Sequence, residues 1–237
     1  MKMRLLKTGT NDAFMNMAID EALMDSELPT LRLYSWSPPA VSIGYFQKVE
    51  EEVDERTCRE LGIDIVRRQT GGGAVYHDKE VTYSVVLREY PLNIMESYTL
   101  ICGSVVAGLR SAGISAEFSP LNDIVVNGRK VSGSAQTRRK GVLLQHGTLL
   151  LDVDVDRMFT VLKVPNEKLK GKLISEVKAR VAPLGIGFED ACKAVQKGFE
   201  LKMGAELVPD TLSKAEVEKA RRIAEEKYGN GEWLYRI

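Results

Sequence analysis

Cysteine is scarce in this chain. Cys58, Cys102 and Cys192 are an odd number with no CxxC spacing, which excludes a disulfide framework and a zinc site as the organising device. An excess of charge of either sign is missing too. Lysine plus arginine number 33, as do aspartate plus glutamate, so no overall basic field recruits nucleic acid and any anion binding must be local. Long apolar runs are also lacking. The start, Met1-Lys2-Met3-Arg4-Leu5-Leu6, is too short in apolar residues for a signal peptide, and no segment approaches a membrane span. The expected location is therefore the cytoplasm, with neither a membrane nor a nucleic acid as partner. No G-x-G-x-x-G follows the first strand and no G-x-x-x-x-G-K-[ST] occurs, which removes support for the common dinucleotide fold and the P-loop. Nor does the order of residues offer a Ser-His-Asp or Cys-His arrangement, so nucleophilic catalysis by the protein is not favoured.

What is present begins with glycine. Arg67-Arg68-Gln69-Thr70-Gly71-Gly72-Gly73-Ala74-Val75-Tyr76-His77-Asp78 lies between two apolar strand-like runs, residues 63–66 and 81–87. Three consecutive glycines cost backbone entropy in a connection of this kind. A backbone nest turned toward an anion, with arginine beside it, explains them; a surface turn is the plainer reading.

The other elements follow from periodicity and caps. Residues 11–25 read as a helix with Asn11 or Asp12 as cap and an apolar stripe through Phe14, Met17, Ala18, Ala22 and Leu23. Residues 31–34 and 40–44 read as strands, and residues 49–61 as a charged amphipathic helix closed by Gly62. Residues 95–112 fit a buried helix carrying Cys102 inside. Asn127-Gly128 between two β-branched runs is a hairpin signal, and strand alternation then puts Lys130, Ser132, Ser134 and Gln136 on one face. The next strand sets His146 beside Leu144 and Thr148. A lysine-rich stretch, residues 163–180, reads as a solvated face. Helical segments at 188–203 and from the Ser213-x-x-Glu216 capping box onward complete the chain. No polar linker or repeat divides residues 1–237, which are expected to be one domain. Interspersed strands, hairpins and helices give an α+β class, a mixed sheet flanked by helices.

Three polar stations stand out: Arg68 with the glycine loop, Asn122-Asp123, and Lys130 on the hairpin. Arginine, lysine and a nest suit a phosphate-bearing ligand, and an aspartate nearby can hold Mg²⁺. The residues are suited to binding and polarising. By themselves they lead to an anionic-ligand or nucleotide enzyme and no further.

The glycine segment resembles the R-R-x-[ST]-G-G-G-A-V-[FY]-H-D motif of the lipoate–protein ligase A family. The run Asn122-Asp123-Ile124-Val125-Val126-Asn127-Gly128-Arg129-Lys130-Val131-Ser132-Gly133-Ser134-Ala135-Gln136 resembles its second signature, and Leu144-Gln145-His146-Gly147-Thr148-Leu149-Leu150 a third. The resemblance implies a fold shared with biotin protein ligases and class II aminoacyl-tRNA synthetases. It also implies an ATP-dependent lipoate–protein ligase, forming lipoyl-adenylate from lipoate and MgATP. The acyl group would pass to a lysine of lipoyl domains on 2-oxoacid dehydrogenase E2 subunits or glycine cleavage H protein. Carried over by motif, Arg68, Gly73, Ala74, Val75 and Tyr76 contact the nucleotide. Lys130 contacts both nucleotide and lipoate and is the catalytic residue. Thr70, Gly72 and His146 take the lipoate, Asp123 takes Mg²⁺, and Val41, Gly44 and Val75 border the dithiolane tunnel.

Two departures qualify the resemblance. Many ligases of the family carry a small C-terminal domain that is not expected in this chain, so a separate accessory subunit is expected to supply it. Related octanoyl- and lipoyl-transferases use a pocket cysteine and no ATP, and they are the main alternative. None of the three cysteines falls in the motifs, so the ligase is preferred. A subunit that only binds lipoyl-adenylate is a third reading, and the Thr70-Gly71-Gly72-Gly73 loop disfavours a biotin ligase.

Overall fold

The computed structural model describes residues 1–164 and 167–237. Eight strands form the main sheet. From edge to edge they are β11 (Glu206–Asp210), β1 (Lys2–Asn11), β2 (Thr30–Trp36), β6 (Glu80–Leu87), β10 (Val142–Leu150), β9 (Arg129–Arg139), β8 (Asp123–Val126) and β7 (Ala116–Ser119). β1 runs parallel to both neighbours, and every pairing from β2 through β7 is antiparallel. A second sheet of three short strands sets β3 (Ala40–Ile43) between β4 (Asp64–Arg67) and β5 (Val75–His77). The mixed sheet flanked by helices matches the expected α+β class.

Both faces of the main sheet are covered, so its central strands are buried on each side. In β6 the residues alternate in destination, as a period of two requires. Val81, Tyr83, Val85 and Leu87 point to a core shared with α4 (Ile94–Ser111) and α7 (Phe188–Met203). On the other face Val86 joins a core under α1 (Ala13–Leu23) and α8 (Lys214–Ile223). Glu80, Thr82 and Ser84, also buried, share that second face. α4 and α7 cross at glycines: a Cβ on Gly108 would lie 1.8 Å from the Ala194 carbonyl oxygen. The small sheet packs against α2 (Val49–Glu52) and α3 (Glu55–Leu61) through Val41, Ile43, Val49, Val53 and Cys58.

Two expectations from the sequence change here. Residues 49–61 form two helices, because the Asp54 carboxylate accepts the Thr57 N–H and starts a new one. In β9 a bulge opposite Ile124 and Val125 interrupts the alternation. Lys130 therefore shares a side with Gly133, where an added Cβ would lie 3.0 Å from its Nζ, and not with Ser132 and Ser134. Part of the lysine-rich run, residues 165–166, lies outside the described residues. Beyond it α6 (Lys170–Arg180) is a helix with no buried residue, as a solvated face should be.

Candidate functional site

A cavity of about 370 Å³ opens between the two sheets. Its floor is the α1-side face of the main sheet, with Glu80 and Thr82 from β6, His146 and Thr148 from β10, and Gly133 and Ala135 from β9. Ser42 and His77 of the small sheet, Trp36 of β2, and Met17 of α1 form the inner wall. Met158 of α5 (Val155–Val161) and Val177 of α6 border the outer end. The glycine segment from Gly72 to Asp78 and Arg68 line it as well, and Lys130 stands at its edge with 42 % of the side chain exposed. Of the residues expected at the site, Arg68, Gly72, Gly73, Ala74, Val75, Tyr76, Lys130 and His146 line this one space.

Arg68 is buried, and its donors are spent inside the protein. Nε donates to Thr70 Oγ1, Nη1 to the carbonyl and hydroxyl of Ser42, and Nη2 to the carbonyls of Gly71 and Gly73. Burial pushes its pKa down to about 10, so it remains a cation at neutral pH. Its first task is to curl the glycine loop. Only Gly72 of the three loop glycines has a positive φ, 91°, and there a left-handed backbone favours glycine.

Thr70 departs from its expected role. It is wholly buried and does not line the cavity; its hydroxyl meets His146 Nε2 at 2.8 Å. Val41 lies in the small-sheet core, and Gly44 is pressed against the loop, where a Cβ would sit 2.0 Å from the Gly72 carbonyl oxygen. Neither lines the cavity. Asp123 does not line it either: its carboxylate pairs with Lys130 Nζ at 2.7 Å. Among the described residues no three His, Cys, Asp or Glu side chains cluster. The Asp123 carboxylate is taken up by Lys130.

The sequence reading missed Asp20, Ser42 and Glu80. Asp20 Oδ2 meets His146 Nδ1 at 3.2 Å, while Oδ1 accepts from Arg32 Nη1 and from the Ser84 hydroxyl, each at 2.7 Å. Burial alone would raise the Asp20 pKa, but the charge of Arg32 and the bond to His146 leave it below the ordinary value. Burial lowers the pKa of His146, against the pull of Asp20, and favours the neutral ring. An ionised carboxylate only accepts, so His146 carries its proton on Nδ1 and its Nε2 accepts a hydrogen bond from the Thr70 hydroxyl. His77 repeats the pattern, with Nδ1 2.8 Å from Glu80 Oε1 and Nε2 2.8 Å from Ser42 Oγ, its ring stacked 4.0 Å from Trp36. Carboxylate–imidazole–hydroxyl arrangements that the chain order did not reveal thus occur twice. Both hydroxyls also accept from Arg68, so they frame the loop. A signal was available for Asp20: it sits three residues from both Met17 and Leu23, within an apolar stripe where a carboxylate needs partners.

The cysteines stay away from this chemistry. Cys102 is fully buried on the α4 side, 3.6 Å from Ser134 Oγ, and burial raises its pKa. Burial likewise pushes Cys58 and Cys192 up to about 11. None of the three lines the cavity.

Fold and cleft together define an α+β domain that presents a glycine loop and a lysine to an open, largely apolar cleft. The chain belongs to the lipoyl protein ligase A/B catalytic domain family, whose model matches residues 12–200. It is 36% identical to the octanoyltransferase LipM of Halalkalibacterium halodurans, with 98% of both chains covered. Relatives from Geobacillus kaustophilus, at 38%, and Bacillus subtilis, at 34%, carry the same name. Among solved structures, the bi-partite lipoate protein ligase of Thermoplasma acidophilum superposes with a TM-score of 0.91 at 34% identity, covering 99% of this chain and 95% of that one. The expectation of an ATP-dependent lipoate–protein ligase is overturned by the octanoyltransferase relatives, which match the alternative that needs no ATP. Those relatives do not support the expected Mg²⁺ at Asp123 either.

Proposed function

We propose that the protein transfers an octanoyl or lipoyl group from a thioester on an acyl carrier to a lysine side chain of a lipoyl domain. The observation that carries this is the cavity itself: a largely apolar cleft of about 370 Å³ with Lys130 at its edge, in a chain similar over 98% of its length to octanoyltransferases. E2 subunits and H protein are the acceptor class. The Thermoplasma relative, described with its E2 lipoyl domain, supports the acceptor. The accessory subunit was expected only to complete adenylation, and the transferase reading removes that need. Among the described residues no helix is long and apolar enough to cross a membrane, and the cytoplasm is the compartment proposed.

Because the cysteines are buried off the cavity, the reading takes the direct route. The acceptor amine attacks the thioester carbonyl carbon, a C–N bond forms, and the C–S bond breaks. The amine proton leaves with the thiol. Lys130 polarises the carbonyl oxygen and stabilises the oxyanion, with Asp123 holding its ammonium in place. Ala74, Val75 and Tyr76 line the acyl path. His146 and Trp36 enclose it on the inner side.

Mass spectrometry of a lipoyl domain incubated with octanoyl-acyl carrier protein, without nucleotide, tests this reading. The expected result is one octanoyl group on the acceptor lysine. Lys130→Met should lower the rate about a hundredfold, as loss of an oxyanion donor does. A mass gain that instead requires free octanoate or lipoate together with ATP would overturn the transferase.

A further inference from the structure

Arg68 is a buried cation that forms no ion pair among the described residues. All its hydrogen bonds end on uncharged oxygens. Two of those oxygens, Thr70 Oγ1 and Ser42 Oγ, are hydroxyls, and a hydroxyl that accepts from arginine must still place its own proton. Each places it on an imidazole, Thr70 on His146 and Ser42 on His77, both at 2.8 Å. That is possible only if Nε2 of each ring is bare, which requires the proton on Nδ1. Facing Nδ1 in each case is a carboxylate, Asp20 for His146 and Glu80 for His77.

We propose that Asp20 and Glu80 are positioning residues for Arg68, each fixing the histidine tautomer that turns a hydroxyl oxygen toward the guanidinium. The two relays converge on one side chain, one built from α1 and β10 and the other from the small sheet and β6. Each keeps its carboxylate an imidazole and a hydroxyl away from the cation. The positive charge of Arg68 therefore stays un-neutralised behind the glycine loop, available to negative charge that develops in the cavity it lines. A carboxylate touching Arg68 would hold the same loop but cancel that field.

The relays differ in a way that makes the inference testable. Both Asp20 oxygens are occupied, Oδ1 by Arg32 and Ser84, Oδ2 by Tyr34 and His146. In Asp20→Asn the amide nitrogen cannot face Arg32, which only donates, so it must take the Oδ2 place and donate to His146 Nδ1. The ring proton then moves to Nε2, and the Thr70 hydroxyl loses its acceptor. Glu80 has a second oxygen, Oε2, without a hydrogen-bond partner in the protein. In Glu80→Gln the amide nitrogen takes that free place, and the carbonyl goes on accepting from His77.

The chain has only two histidines, so a spectrum of imidazole ¹⁵N nuclei resolves both rings. The native protein should show Nδ1–H and bare Nε2 for each. His146 should invert in Asp20→Asn, and His77 should not in Glu80→Gln. For catalysis the inference rests on the acyl-transfer reading. Octanoyl transfer should lose about a hundredfold in kcat in Asp20→Asn, smaller than the loss known for a reversed tautomer in a serine protease. It should lose about tenfold in Thr70→Val, with KM for the lipoyl domain held within about twofold and Thr70→Ser restoring the rate. Ser84→Ala, which removes another Asp20 partner without touching the ring, should keep the native His146 signals. If Asp20→Asn does not fold, with Arg32 left unpaired, Thr70→Val and Thr70→Ser carry the kinetic test. An Nε2–H or charged imidazole on His146 in the native protein would overturn the inference whatever the activity. So would a Thr70→Val rate that Thr70→Ser does not exceed. A native chain without transfer activity would instead refute the function reading, leaving the ring-nitrogen result to stand by itself.

Discussion

Replacing Arg67 by methionine should unlock the frame around the glycine loop. Arg67 and Arg68 are neighbours in sequence, yet Arg67 points the other way. Its guanidinium is fully buried and donates to five carbonyl oxygens: Trp233 and Leu234 near the C-terminus, and Gly44, Tyr45 and Gln47 after β3. The indole N–H of Trp233 returns a bond to the Arg67 carbonyl at 2.8 Å. Tyr45 in turn donates its backbone N–H to the Thr70 carbonyl. One side chain thus joins the C-terminal segment and α9 (Gly231–Leu234) to the loop beside the cavity. Each hydrogen bond to a charged group contributes about 1.5–3 kcal/mol, but their sum is an upper bound. Methionine keeps most of the stem's volume, the buried cation's desolvation cost disappears, and water reaches some of the freed carbonyls. A loss of about 3–5 kcal/mol remains, the cost of leaving two or three of these carbonyls unsatisfied at about 1–3 kcal/mol each. Chemical denaturation followed by far-ultraviolet circular dichroism measures it. With a urea m-value of about 3 kcal/mol/M, reasonable for a chain of this size, the midpoint should fall by about 1–1.7 M. Trp233→Phe, which orphans a single carbonyl, should cost about 1–2 kcal/mol. A midpoint shift below about 0.3 M for Arg67→Met, with m unchanged, would refute the reasoning, since it would mean the five carbonyls are solvated as well without the arginine.

Gly44→Ala tests the contact between β3 and the loop. Its Cβ would meet backbone atoms of Gly72 and Gly71 that cannot rotate away. Transfer should fall at least tenfold, with a stability loss of about 1–3 kcal/mol. Gly71→Ala, where an added Cβ meets nothing within 4 Å, should be tolerated, and equal effects at the two positions would argue against loop placement. The cysteines give a third test: replacing Cys58, Cys102 and Cys192 together by alanine should leave a folded enzyme with its transfer rate intact. A folded but inactive variant would restore the acyl-cysteine route. The fourth concerns acid. His146 has a folded pKa below its ordinary value of about 6.5, so the unfolded chain binds the proton first. The stability contributed by the neutral ring should be complete above pH 6.5 and drain away as pH falls toward the lowered folded value. Asp20, also lowered, adds a further loss below its ordinary range near pH 4. His146→Gln should flatten the first part of that slope, as followed by denaturation midpoints between pH 7 and 4. An unchanged slope would show that His146 is not the group responsible.

The chain's local signals carried its elements and most of its cleft. Period and caps placed α1, α4, α7 and the Asn127-Gly128 hairpin, whose left-handed φ values of 50° and 73° are what that dipeptide favours. The three motifs named eight residues that do line one cavity. What they could not give is direction. Arg67 and Arg68 are chemically identical, and only packing sends one to the C-terminal carbonyls and the other to the loop. Thr70 belongs to the motif but turns its hydroxyl inward. Asp20, Ser42 and Glu80 enter from α1, β3 and β6, far from one another in sequence. Their role exists only once three separate elements bring a carboxylate and a hydroxyl to opposite edges of an imidazole. A single-residue bulge moved Lys130 to the cavity side, an effect that strict alternation cannot foresee. Between ligase and transferase the motifs misled: no cysteine falls in them, which favoured the ligase, and the octanoyltransferase relatives overturn that preference. By itself the sequence determined the long helices, the central strands β2, β6 and β10, the Asn127-Gly128 hairpin, the glycine loop and the lysine, but not β1, β5, β7 or β11. The tertiary structure decided which polar groups face the cavity, since hydrogen-bond direction and burial depend on partners the chain order keeps apart.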